Sequence, residues 1–326
     1  MKVIVTGAAG FIGSHLVDRL VGKGIDVVGI DNFDPFYDPA VKRRNLEGAR
    51  ASGRFTLAEA DIRDTDALVA AVRAAGGEGA DAIVHLAAKA GVRPSIADPG
   101  GYAAVNVGGT VQVLELARAL GVRRFVFGSS SSVYGNTPRV PFTEDDPVAA
   151  PISPYAATKR AGELICHTYH HLHGLSVACL RFFTVYGPRQ RPDLAIHAFA
   201  RRMAADEPIT LFGDGSSQRD YTFVSDIVDG IEGALAFTEG EAKFDVFNLG
   251  ESQTVTLLRL VELLSAALGV EPRIEWKPPQ PGDVERTFAD VSKARRALGY
   301  APRVPVEAGI PRFVEWLREE IAARRG

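Results

Sequence analysis

Short β-branched runs closed by glycine alternate along the first half of the chain with longer segments rich in Ala, Leu and Arg. Residues 2–7 (KVIVTG), 26–31 (DVVGID), 82–88 (AIVHLAA) and 124–130 (RFVFGSS) are continuous apolar runs. Residues 15–24 (HLVDRLVGKG), 67–76 (ALVAAVRAAG) and 110–121 (TVQVLELARALG) have helical spacing. Buried strands alternating with helices make a parallel sheet covered on both faces. The predicted fold is therefore α/β, a doubly wound Rossmann sheet. Residues 31–55, with two prolines and the basic run Lys42 to Arg44, read as a surface excursion containing a short helix. That basic run is either a solvated face or a phosphate contact.

The rhythm changes near residue 183. GPRQRPD (187–193), a helix through 197–207 and the turn FGDGSSQRD (212–220) suggest a second lobe. Helices are predicted over 256–269, 291–299 and 313–325, with an extended proline-rich stretch at 274–290. VFNLG (246–250) has strand character and is expected to rejoin the first sheet. The division is thus 1–183 for the dinucleotide domain and 184–326 mainly for an interleaved substrate-binding lobe.

Composition narrows the function. The 326 residues are 46% hydrophobic and 24% charged, with 37 Lys+Arg against 40 Asp+Glu, a net charge of −3. Such a balance does not provide the broad cationic surface that nucleic acid or an anionic membrane demands, so neither is an expected partner. Cys166 and Cys179 are too few for a disulfide framework and lack zinc-ligand spacing, which points to a reducing compartment. The opening MKVIVTGAAG runs straight into a strand and no apolar run reaches about 20 residues, so a cytoplasmic protein is expected.

The strongest motif is VIVTGAAGFIG. Gly7, Gly10 and Gly13 stand between the first strand and a helix beginning at Phe11 and Ile12. Glycines there allow a tight turn and bring backbone amides to a pyrophosphate, while the helix N-terminus favours the anion. Asp31, 18 residues beyond Gly13 and followed by Asn32, ends the second strand. A carboxylate at that place accepts bonds from adenosine ribose hydroxyls and repels a 2′-phosphate, so NAD is the expected cofactor rather than NADP. Farther on, Tyr155 and Lys159 in YAATK share one helix face, with Ser130 in SSSSVYG before them. Shifting a tyrosine pKa from about 10 to about 7 takes roughly 4 kcal/mol. One positive charge about 4 Å away, at an effective dielectric near 20, is worth about that much.

With these residues in order, nearly all of the chain resembles the extended short-chain dehydrogenase/reductase superfamily, and within it the nucleotide-sugar epimerases and dehydratases. The resemblance implies that Ser130, Tyr155 and Lys159 form the catalytic set. It also implies that Asp61 and Ile62 lie near the adenine, Leu86, Ala87 and Ala88 along the cofactor, and Asn106 on a nearby helix. Arg219 matches an arginine that grips the nucleotide diphosphate, Arg191 a second phosphate contact, and Asp283 a position near the nucleoside. A homodimer through a four-helix contact, built from the helices after Thr110 and Tyr155, is implied as well.

Dehydratases of this kind carry an Asp-Glu pair where Ser131 and Ser132 stand, because elimination needs an acid and a base beyond the triad. Decarboxylases that make a pentose nucleotide typically carry Glu in place of Ser132. The remaining outcome is 4-epimerisation: oxidation at C4, rotation of the 4-keto sugar and return of the hydride to its other face. FTVYGP, RPD and DNFDPFYDPAVKRRNL resemble the UDP-glucuronate 4-epimerases, whereas galactose epimerases usually have Asn in place of Thr184. The expected substrate is therefore UDP-glucuronate, converted to UDP-galacturonate, its carboxylate met by Ser130, Ser131, Ser132 and Thr184 with Arg93 nearby. UDP-glucose 4-epimerisation, glucuronate decarboxylation and a non-enzymatic NAD sensor or scaffold are the alternatives. His167, His170, His171 and His173 beside Cys166 lack an acidic ligand pattern, so no metal site is expected. Tyr134 is either core or pocket wall, and Arg189 and His197 either surface groups or nucleotide contacts.

Overall fold

The computed structural model describes residues 1–278 and 286–323. Six strands of the N-terminal half are β1 (Lys2–Thr6), β2 (Asp26–Asp31), β3 (Phe55–Glu59), β4 (Ala82–His85), β5 (Arg124–Ser130) and β6 (Ser176–Phe182). They join a later strand, Phe244–Leu249, in one seven-stranded sheet whose spatial order is Phe244–Leu249, β6, β5, β4, β1, β2, β3. Every pairing in it is parallel. A segment well beyond residue 184 thus completes the sheet, with Asn248 opposite Arg181.

Period-two alternation explains how the sheet is covered. Val3 and Val5 face one apolar core with Val84 and Val126, while Ile4 faces another with Ile83 and Phe125. Leu16, Val17 and Leu20 of the helix Phe11–Gly22 fill the first core. Leu68 and Val72 of Thr65–Ala74, with Val113, Leu114 and Leu116 of Gly109–Ala119, fill the second. The runs at 55–59 and 176–182 were not singled out from the sequence. The first alternates buried Phe55 and Ala58 with exposed Thr56 and Glu59, the weak signature of a short edge strand.

Short strand pairs build the second lobe. β7 (Thr184–Tyr186) pairs with Tyr221–Phe223, Gln218–Arg219 with Val255–Thr256, and Ile209–Phe212 with Ile274–Lys277. The helices Ala195–Ala204, Leu257–Leu268 and Val306–Ala323 cover them. Asp220 ties this lobe together: its carboxylate accepts the amides of Glu251 at 2.7 Å and of Ser252 and Ala289 at 3.1 Å. Among the described residues, no helix is long and apolar enough to cross a membrane.

Candidate active site

The strand order reverses between β1 and β4, and there a cavity of about 820 Å³ opens over the carboxyl ends of the strands. Ligands in open parallel sheets bind at such a switch point. One end of the cavity is made by backbone. Gly7 turns with φ +68°, and a Cβ on it would lie 2.8 Å from the Ala87 amide nitrogen. A Cβ on Gly13 would stand 2.0 Å from the Gly7 carbonyl oxygen, so neither position accepts a larger residue. Gly10, Phe11, Ile12 and Gly13 bring the N-terminus of Phe11–Gly22 to the cavity wall, the place where a pyrophosphate is favoured.

Asp31 lies beside that turn, accepting the Ala9 and Phe33 amides at 3.0 and 2.9 Å. Burial pushes its carboxyl above the ordinary range, against the charge of Lys42 and those two bonds. Asn32 donates to Asp61 at 3.0 Å, and the hydrogen bond from Arg63 brings the Asp61 carboxyl down to about 2. Ile62, Leu86, Ala87 and Ala88 complete this stretch of wall. A glycine cradle, an exposed helix terminus and a carboxylate at the second strand's end fit a dinucleotide.

The other end is made by side chains. Ser153 caps the helix Pro154–His173 by accepting the Ala156 amide at 3.1 Å, and Gly174, at φ +65°, ends it. Tyr155 therefore sits in the first turn and Lys159 one turn later, both lining the cavity with Ser130. Ser130 ends β5 and accepts the Ser132 amide at 3.2 Å, which opens the tight turn Ser131–Tyr134. Burial raises the Tyr155 phenol above its ordinary range, while a hydrogen bond with Ser130 and the charge of Arg191 pull it down. Lys159 donates to the Gly128 carbonyl at 2.7 Å, and burial lowers its ammonium to about 8. Arg191 thus lends a positive charge to Tyr155 from outside this helix, while Lys159 stands one turn along on the same helix.

Ser131, Ser132, Thr184 and Arg191 line the same cavity. Arg191 donates to Asp193 at 2.7 Å and to the Ala90 carbonyl at 3.1 Å, and lies over the Phe36 ring. Three expected residues do not lie in the cavity wall. Arg93 sits over the Phe212 ring, 5.1 Å from its centroid. Arg219 donates to the carbonyl of neighbouring Gln218 at 2.9 Å. Asn106 is buried and bonded to Lys89 and Thr158. Asp283 lies outside the described residues.

The cavity also takes in Tyr37, which carries no sequence signal of its own, and Lys42 of the basic run; both come from the excursion after β2, and the Tyr37 hydroxyl is buried with no hydrogen-bond partner among the described residues. Of the basic run, only Lys42 turns inward; Arg43 pairs with Glu59 and Arg44 with Glu320. Tyr102 meets the Tyr155 ring edge-on with centroids 6.3 Å apart. Tyr134 belongs to the core, Arg189 pairs with Asp18 at 2.7 Å, and His197 packs against Phe313 and Trp316. His167 packs on Phe244, and among the described residues no three His, Cys, Asp or Glu side chains gather as a metal set.

A model of the NAD dependent epimerase/dehydratase family matches residues 3–250. The chain belongs to that family. A UDP-glucuronate 4-epimerase of Thermodesulfobacterium geofontis is 38% identical over 98% of this chain and 96% of its own length. UDP-glucuronate 4-epimerase 5 of Arabidopsis thaliana is 41% identical over 97% of this chain and 75% of its own. Among solved structures, the UDP-glucuronic acid 4-epimerase of Bacillus cereus, in complex with UDP-glucuronic acid and NAD, superposes with a TM-score of 0.91. It is 36% identical, covering 98% of this chain and all of that one. A Thermotoga maritima UDP-glucose 4-epimerase with UDP-glucose gives a TM-score of 0.87 at 33% identity, covering 98% of this chain and 100% of that one. In the family member described here, the glycine cradle and the Ser130, Tyr155 and Lys159 set face one cavity.

Proposed function

We propose that this epimerase-family protein binds NAD in the glycine cradle and interconverts UDP-glucuronate and UDP-galacturonate by 4-epimerisation through a transient 4-keto sugar. Bound NAD supplies the hydride acceptor and donor and a positive charge beside the phenol. Tyr155 takes the proton of the C4 hydroxyl and later returns one. Ser130 hydrogen-bonds the same oxygen, and Lys159 lowers the phenol pKa and binds the nicotinamide ribose. The uronate reading is carried by one observation: Arg191 lines a wall shared with Ser131, Ser132 and Thr184. A cation and three hydroxyls suit a carboxylate at C6, and serines at 131 and 132 leave elimination without its acid and base. Arg219 is assigned to the diphosphate and Asp283 to the neighbourhood of the nucleoside by resemblance alone.

Incubation with UDP-glucuronate followed by proton NMR tests the reading. UDP-galacturonate is expected; a pentose nucleotide, turnover of UDP-glucose alone, or no product overturns it. Tyr155→Phe is expected to cut kcat at least about a thousandfold with KM little changed.

The same reading includes a homodimer. Leu164 and Leu172 on the helix Pro154–His173 are 54% and 64% exposed, an apolar stripe suited to a second copy of the chain. Light scattering is expected to show a dimer that Leu164→Glu with Leu172→Glu dissociates. Both cysteines are buried free thiols, which suits the cytoplasm.

A further inference from the structure

Under the cleft floor runs a polar chain that the mechanism does not use: Thr6, His85, Thr110 and Asn106, each at most 2% exposed. Its hydrogens can be assigned by inventory. Thr6 Oγ1 accepts the Ala87 amide at 3.1 Å and the Leu86 amide at 3.1 Å, the latter shared with the Thr6 carbonyl at 3.2 Å. Both lone pairs of that hydroxyl are then in use, and its single hydrogen goes to His85 Nδ1, 2.7 Å away. With Nδ1 accepting, the ring hydrogen is on Nε2, which donates to Thr110 Oγ1 at 3.1 Å. Thr110 in turn donates to the Asn106 carbonyl at 2.6 Å.

Asn106 lies in a single π-helical turn, Ala104–Gly108, a form that often marks functional places in helices. Its side chain accepts the Lys89 amide at 2.8 Å and donates to the Lys89 carbonyl at 2.9 Å and to Thr158 Oγ1 at 3.0 Å. Thr158 donates to the Tyr155 carbonyl at 2.8 Å. The chain therefore begins at the residue before Gly7, holds the Leu86–Ala87 turn, and ends on the helix that carries Tyr155 and Lys159.

We propose that His85 is a positioning residue, held neutral as its Nε2–H tautomer, that sets the spacing between the dinucleotide cradle and the catalytic helix. A second ring hydrogen would place a donor against a Thr6 hydroxyl that has no lone pair left. Burial, with the charge of Lys159, brings the imidazole down to about 3, in the same direction. The rings of Phe125 and Phe127, centroids 6.1 and 5.9 Å away, keep water from substituting for either partner. The inference rests on the reading of the cleft as an NAD site, but not on the identity of the sugar.

Two measurements on the full-length protein test it. In the NAD-bound, 15N-histidine-labelled protein, with His85 assigned by difference from His85→Gln, long-range proton–nitrogen spectra are expected to show unprotonated Nδ1 from pH 8 to pH 5. An Nδ1–H tautomer, or titration within that range, overturns the proposal. The variants separate the two arms. His85→Asn keeps an acceptor toward Thr6, and His85→Gln keeps a donor toward Thr110. His85→Asn is expected to retain NAD while kcat falls about tenfold; His85→Gln is expected to release NAD about tenfold faster, each change matching about one lost buried hydrogen bond. Equal losses in both variants, or none in either, reduce His85 to packing and sink the idea. A protein that keeps this tautomer, and that releases NAD faster in His85→Gln but not in His85→Asn, yet epimerises no UDP-sugar would defeat the proposed function and leave the positioning role standing.

Discussion

Two clusters of buried charge flank the cleft, and they are built in opposite ways. Under the catalytic helix, Glu163 and Arg181 are 1% and 2% exposed and paired by two bonds of 2.9 Å. Ser129 and Arg160 complete the Glu163 carboxylate, and Tyr134 passes the Arg181 contact on to Asn248. Under the second lobe, Asp220, Asp226 and Glu251 stand together; backbone amides are the main partners of Asp220 and Asp226, and one Glu251 oxygen is buried with no partner among the described residues. Burial would raise Glu163, but the bonds and charge of Arg181 more than reverse it and the carboxyl falls below its ordinary range. Burial raises Asp220 to about 6, and burial with the charges of Asp226 and Asp220 raises Glu251 to about 7. The lesson is that amides alone leave a buried carboxylate easier to protonate than a free one, whereas a guanidinium holds it below the ordinary range.

The largest effect expected from this contrast is at the paired cluster. Arg181→Met strands the Glu163 carboxylate in the core and is predicted to cost about 3–5 kcal/mol in urea or guanidinium unfolding. A cost below about 1 kcal/mol would mean that Arg160 alone suffices as partner. Next is Tyr134→Phe, which leaves an Arg181 N–H and the Asn248 carbonyl oxygen unpaired. It is expected to cost about 2 kcal/mol and to loosen the Ser131–Tyr134 turn, read as a rise in KM larger than the fall in kcat.

The carboxylate cluster gives a smaller effect of opposite sign. The folded pKa of Glu251, about 7, lies above its ordinary 4.5. Its stabilising contribution is therefore fully present below pH 4.5 and is lost as pH rises through about 7. Glu251→Gln removes that loss, so it should stabilise the protein by about 1 kcal/mol at pH 8, discounted for solvent screening, and leave it unchanged at pH 4. Glu163 behaves the other way, contributing above its ordinary 4.5 and losing that contribution as pH falls. A variant with equal effects at both pH values would erase the contrast. The smallest effect is expected at the surface. Arg303, 76% exposed and 3.0 Å from Asp229, should be replaceable by Ala within about 0.5 kcal/mol.

Much of the dinucleotide half was legible in the sequence, because its parts are local. Gly7, Gly10 and Gly13 serve one turn, Asp31 ends one strand, and Tyr155 and Lys159 are one helical turn apart, so spacing alone carries their geometry. Residues assigned by resemblance fared less evenly. Ser131, Ser132, Thr184 and Arg191 do line the cavity, whereas Arg93, Arg219 and Asn106 do not lie in its wall. Tyr37 escaped notice, and the place of Lys42 was left open between surface and phosphate contact, because both reach the cleft through an irregular segment with no periodicity to read.

The sequence by itself determined the alternating strands and helices, the glycine cradle and the shared helix face of Tyr155 and Lys159, since each follows from backbone propensity and short-range spacing. Only the tertiary structure decided that Phe244–Leu249, expected to rejoin the sheet, lies at its edge beside β6, and that Arg191 reaches the cavity that Tyr155 lines. It alone decided that Glu163 meets Arg181, and that the hydrogens of Thr6, His85 and Thr110 all run one way. Those are contacts between segments far apart in the chain, and which groups lose water together is settled when the segments pack.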